Sequence, residues 1–111
     1  MIEKTILDYL DGVLTEPVYM ERPANPPEKY VILEKTGSGK RNHICDATIA
    51  VQSYAASLYE AAELNETVKT AMEEAITLAK ICRVSLNSDY NFTDTDMKAY
   101  RYQAVFDITH Y

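Results

Sequence analysis

Three stretches of this sequence invite a chemical reading first. Thr36-Gly37-Ser38-Gly39-Lys40 comes after a β-forming run and carries the glycines and lysine of a phosphate loop. The spacing fails, because the first glycine of that motif would fall on Glu34. Arg41 also stands where a Ser or Thr would reach Mg²⁺. The residues after it read as a strand, so no helix N-terminus is aimed at an anion. The stretch is therefore expected to be a flexible hairpin loop. His43 and Cys45 share one face of that next strand, but two ligands do not make a zinc site, and His110 and Cys82 are distant in sequence. Asp89, Asn91, Asp94 and Asp96 offer oxygen ligands without the central glycine and closing Glu of a calcium loop, and read as a solvated loop. Two histidines and no glycine elbow around a serine leave no Ser-His-Asp or Cys-His arrangement. The expectation is a protein that is not an enzyme, with no catalytic residue, cofactor or metal.

Composition agrees with a small binding or structural module. The 111 residues suit one domain, 1–111, with no room for a separate cofactor domain. Seventeen acidic against eleven basic residues give a net charge of -6, which argues against general affinity for nucleic acid. No apolar run is long enough to span a bilayer, and Met-Ile-Glu-Lys-Thr-Ile does not read as a signal peptide, so no membrane partner is expected. Cys45 and Cys82 read as free thiols of a chain made in the cytoplasm.

The elements that would position any site are set by periodicity. Ile2, Ile6, Leu7 and Leu10 mark an amphipathic helix over 2–11, with Gly12 near its end. Val18–Met20 is a short extended piece, and the prolines at 23, 26 and 27 make a loop. Tyr30–Lys35 is a strand, 36–42 a turn, and His43–Gln52 a second strand with Cys45, Ala47, Ile49 and Val51 on one face. Ser53–Leu64 reads as a helix, and Asn65 as the N-cap of a second one through Val68, Met72 and Ala79. Cys82–Leu86 is a third strand, and a polar excursion runs over 87–98. Ala99–Tyr111 alternates most cleanly of all, with Tyr100, Tyr102, Ala104, Phe106 and Ile108 opposed to Arg101, Gln103, Val105, Asp107 and Thr109. The fold class is α+β: a mainly antiparallel sheet of four or five strands, with an N-terminal helix and a central helical pair packed on one face. Nine tyrosines, concentrated on or beside these strands, suit half-buried sheets and subunit contacts.

Taken together, the N-terminal helix, Pro17-Val18-Tyr19, the proline loop, Tyr30-Val31-Ile32-Leu33, Ala47–Ala55, Ala61-Ala62-Glu63-Leu64 and Arg101–Ile108 resemble the tail-completion proteins of long-tailed phages, the tail terminators and tail-to-head joining proteins. The resemblance runs along the whole chain and rests on element order and scattered residues. It implies a virion structural protein, phage or prophage encoded. Such a protein would be assembled in the host cytoplasm and would sit in the tail or the head-tail neck. There it would form a ring, typically a hexamer, between tail-tube protein and head connector, with DNA passing through and no sequence-specific contact. A ring interface is heterologous, so each subunit must carry two different complementary patches. Lys35, Lys40 and Arg41 form a basic loop on an acidic chain and are the candidate partner-contact residues. The alternative expectation is a small oligomeric ligand-binding or regulatory domain of bacterial origin, built from the same layers around a pocket.

Overall fold

The computed structural model describes residues 1–96 and 99–111. The chain runs α1 (Ile2–Val13), β1 (Val18–Tyr19), β2 (Tyr30–Arg41), β3 (Ile44–Ala55), α2 (Leu58–Glu74), a 3₁₀ turn (Ala75–Thr77), β4 (Ile81–Asn91) and β5 (Tyr100–His110). The strands form one sheet in the order β1-β2-β3-β5-β4. β1 lies parallel to β2 and the other neighbours are antiparallel, so the fold is α+β with a mixed sheet.

Both helices lie on one face of that sheet. α1 contributes Ile2, Ile6 and Leu10, four apart and buried, while Lys4 and Asp8 pair at 2.9 Å on its wet side. α2 begins at Ser57, whose hydroxyl accepts the Glu60 backbone N–H at 3.2 Å and caps the first turn. Leu64, Val68 and Met72 then meet Leu33, Ile49 and Phe106 from the sheet in one continuous core. Tyr9 ties the two helices together, its hydroxyl donating to the Ala71 carbonyl at 2.6 Å. Burial, reinforced by the nearby Glu74 carboxylate, raises the pKa of that phenol, so it stays protonated as a donor.

Four expectations from the sequence are corrected here. The stretch 36–42 is not a loop: β2 continues to Arg41, because Gly37 to Arg41 pair with Thr48 to Ile44. The turn is the two-residue Asn42-His43, both at positive φ (50° and 68°), the geometry of a tight hairpin whose twist matches its strands. His43 is therefore a turn residue and does not share a strand face with Cys45. Ser53–Ala55 is not helical: Ser53 and Tyr54 pair on both sides, with Val31 and Tyr30 of β2 and with Tyr102 and Arg101 of β5, and Ala55 pairs with Tyr100. Cross-strand pairing overrides the helix propensity of the neighbouring alanines. The central helical pair is one helix: Asn65 is not a cap but lies buried in the middle of α2, 1% exposed, its amide donating to Asp89 at 3.4 Å.

The polar excursion is also shorter than expected, because 87–91 extends β4 opposite Val105–Tyr102. A bridge between Asp94 and Ala99 follows before β5, and Met97 and Lys98 lie outside the described residues. The N-terminal helix and the alternation of the last strand stand as expected, with Ala104, Phe106 and Ile108 on the buried face.

The turn supplies a test of this register. A left-handed conformation costs a side-chain-bearing residue roughly 1 kcal/mol that glycine avoids. His43→Gly is expected to raise unfolding stability by about 0.5–1 kcal/mol, read from the urea midpoint. An unchanged or lowered midpoint would place the turn elsewhere.

Candidate interaction surfaces

The face of the sheet turned away from the helices carries two distinct zones. At one end an aromatic row crosses the strands. Tyr19 meets Tyr30 edge-on at 6.3 Å between ring centroids, and Tyr30 stacks on Tyr54 at 4.6 Å with planes 5° apart. The Arg101 guanidinium lies 5.6 Å from the Tyr54 ring and 4.4 Å from Phe92, which meets Tyr90 edge-on at 5.8 Å. Flat-stacked rings and a delocalised cation favour this arrangement beyond their buried area.

A directed hydrogen-bond chain runs through the same residues. Arg101 donates to the Tyr54 hydroxyl at 2.8 Å, and Tyr54 donates to Gln52 Oε1 at 2.9 Å. Gln52 Nε2 donates to Gln103 Oε1 at 2.8 Å, and Gln103 Nε2 donates to the Tyr90 hydroxyl at 2.5 Å. Each amide is used on both sides, so its flip state is fixed by the network. Burial raises the Tyr30 pKa, with Tyr54 adding to the rise and Arg22 and Arg101 opposing it. Tyr30, Ile32 and Tyr54 are buried although no helix covers this face. The sequence assigned Tyr54 to a helix and so missed the row. Its signal was the even spacing of Ala50, Gln52 and Tyr54 continuing the β3 alternation.

The other half of this face is polar. Asp107 accepts from Thr48 at 3.1 Å and from Asn87 at 2.9 Å, and Asp46 accepts from Thr109 at 3.2 Å. Beyond it the β2–β3 hairpin projects as an arm: every residue from Glu34 to Arg41 is exposed.

The basic trio is on this arm, but the pairing divides it. Lys35 lies opposite Ile49 and Lys40 opposite Cys45, on the helix side; Arg41 lies opposite Ile44, on the other side. Lys35 is held 3.5 Å from Glu3 of α1, and the second oxygen of Glu3 is buried without a partner. A groove of about 420 Å³ opens there between the α1 N-terminus and the arm, lined by Glu3, Lys35, Lys40, Cys45 and His110 among others.

Pairing also brings together residues that are far apart in the chain. Cys45 is directly opposite His110, which is opposite Ile81, the neighbour of Cys82. Among the described residues no group of three His, Cys, Asp or Glu is placed to hold a metal ion. Both cysteines are free thiols, and the Cys82 sulfur lies by Tyr111, raising its phenol pKa through a hydrogen bond. On the helix side, Lys69 lies 2.8 Å from Glu66 and 3.4 Å from Asp89, and the bond to Glu66 leads in raising its pKa. No helix of the described residues is long and apolar enough to cross a membrane.

No known family model matches this chain, and no curated protein matches it.

Tyr54 is the junction of stack and hydrogen-bond chain. Tyr54→Phe keeps the stack and deletes both bonds, leaving Gln52 and Arg101 each short of a partner. It is expected to cost about 1–3 kcal/mol in urea unfolding. With no tryptophan in the chain, near-ultraviolet circular dichroism reports the tyrosine stack, and that signal is expected to survive. Loss of the dichroism with no change in stability would show that the stack, not the network, depends on the hydroxyl.

Proposed function

We propose that this chain is a structural subunit of a long-tailed phage or prophage, forming a ring that completes the tail tube or joins tail to head. The observation that carries the reading is the polarity of the molecule. Its longest dimension is 44 Å against 25 Å in the other two directions, close to the ~40 Å expected for twelve-residue strands at about 3.3 Å per residue. One end is the aromatic row, locked by stacking and hydrogen bonds; the other is the exposed basic arm. A ring between two unlike partners needs subunits whose two ends differ in this way. The sequence resemblance to tail-completion proteins supports the same role. In this reading the arm, with Lys40 and Arg41 at its tip, meets an acidic surface of the tail tube or connector. The net charge of -6 keeps the remaining surface from adhering to passing DNA.

A second reading draws on the groove at the arm's base, where Lys35, Lys40 and His110 could receive a small anionic ligand of an oligomeric regulatory domain.

The test separates them. Particles assembled without this chain are expected to have tails of irregular length or heads without tails. Chain carrying Lys40→Glu with Arg41→Glu is expected to fold and oligomerise but to leave heads and tails unjoined. Normal virions from both would remove the structural reading. Saturable binding of small anions by the isolated chain, lost in Lys35→Gln, would favour the second.

A further inference from the structure

The two outer strands leave backbone groups unpaired. Among the described residues β1 covers β2 from Val31 to the Leu33 N–H, and β4 has no outer neighbour. In an antiparallel ladder successive residues direct their N–H and C=O alternately to either side. The Val31 N–H donates outward to Pro17 at 3.0 Å, and the parallel pairing of Tyr19 with Ile32 takes the next outward N–H, that of Leu33; counting on through the register shift between Lys35 and Gly37, Lys35, Ser38 and Lys40 present theirs to the open edge. On the far edge the Phe92 N–H donates inward to Arg101 at 2.9 Å. Counting back through the shift between Leu86 and Ser88, Asn91, Asp89, Leu86 and Val84 present theirs outward.

The two edges match. Along the open part of β2 the outward groups are spaced three and two residues apart, from Lys35 to Lys40, and along β4 Asp89, Leu86 and Val84 repeat that spacing in the opposite direction. β2 and β4 also run in opposite senses within the sheet, as the three antiparallel pairings between them require. A second copy displaced across the sheet, with its strands kept in the same direction and its helices on the same side, therefore presents its β4 antiparallel to β2.

We infer that the partner of the open β2 edge is β4 of a second copy, in the register Lys35–Asp89, Ser38–Leu86 and Lys40–Val84. A shift of one ladder step in either direction sets an outward group against an inward one, because the three-residue gaps no longer coincide. The bulges that would blunt each edge alone become mutually compatible. The register sets Lys35 opposite Asp89, an opposite-charge cross-strand pair, and covers Leu86, which is 46% exposed. The next pair would oppose Arg41 to Arg83, so the ladder ends at Lys40. The contact joins two different surfaces, so it propagates from copy to copy and closes only if its rotation does. The inference rests on the ring reading and names its subunit contact.

The experiment is a disulfide trap on the full chain, with Cys45→Ser and Cys82→Ser to remove the native thiols. Ser38→Cys and Leu86→Cys are placed on the same chain. Within one molecule these positions lie three strand spacings apart, about 14 Å, too far for a disulfide. Mild oxidation is expected to shift most of the protein into a reducible ladder of covalent oligomers. Lys40→Cys with Asp89→Cys, which are not opposed in this register, is expected to leave monomer. Equal ladders from both pairs would overturn the register. No ladder, with oligomers still seen by native mass spectrometry, would overturn the edge contact while the ring reading stands. Monomer in both measurements would also overturn it, and the tail-length experiment then decides the ring reading separately. Leu86→Pro removes one outward N–H without touching the β5 ladder. It is expected to abolish the oligomer with the far-ultraviolet circular dichroism unchanged; an undiminished oligomer would count against the contact.

Discussion

The fold depends on the two-residue period of β3. That strand is paired along nearly its whole length on both sides, to β2 and to β5, and it has an occupied face in each direction. Ala47, Ile49, Val51 and Ser53 point to the helices, while Ala50, Gln52 and Tyr54 point away. A slip of one residue would exchange the two sets. It would bring Gln52 and Tyr54 under α2 and expose Ile49 and Val51. The core and the open-face network therefore specify the same register independently, one by burial and the other by hydrogen bonding. The neighbouring strands inherit that phase, so Phe106 of β5 and Leu33 of β2 fall on the helix side opposite Ile49 and Val51.

This explains how a sheet face without a helical cover can be ordered. Tyr30, Ile32 and Tyr54 shield one another, and the chain from Arg101 to Tyr90 gives the Tyr54, Gln52, Gln103 and Tyr90 tips partners. Tyrosine suits the task because its ring buries area while its hydroxyl stays in the network. A phenylalanine row would cover the strands equally well and leave an adhesive patch. The helix face is less complete: Ser53 Oγ and Asn65 Oδ1 are buried without partners, a local cost accepted within the apolar core.

Much of the architecture was legible in the sequence because hydrophobic periodicity is a local signal. The α1 stripe, the clean alternation of β5 and the β3 phase from Cys45 to Gln52 all transferred to the structure. The failures fall where a distant partner decides the outcome. Ser53–Ala55 has alanine-rich helical neighbours, yet pairs with strands that the local reading could not see. Thr36–Asn42 has the glycines of a loop, but glycine within a hairpin only loosens the strand; the residues that turn the chain are Asn42 and His43. Asn65 resembles a cap by type and is instead buried against β4. The basic trio was found as sequence neighbours, but alternation places Arg41 on the opposite side of the arm from Lys35 and Lys40. The aromatic row was invisible for a related reason, since Tyr19, Tyr30, Tyr54, Phe92 and Arg101 meet only after the sheet has formed.

The irregularities in the outer strands bear on the same point from the other direction. In an isolated sheet, a bulge in β2 and bulges in β4 would be defences against unwanted pairing, together with Lys35 and Lys40 on the open edge. A defence needs only to disrupt the alternation; it has no reason to disrupt both edges at the same interval and in opposite order. In the proposed assembly the equal spacing acts as a key. A foreign strand with regular alternation meets the bulge out of phase, whereas another copy of the chain stays in phase across it. Such an edge is discriminating rather than merely adhesive. That is what a subunit carrying a net charge of -6 requires if it is to remain dispersed until its own kind is in place beside it.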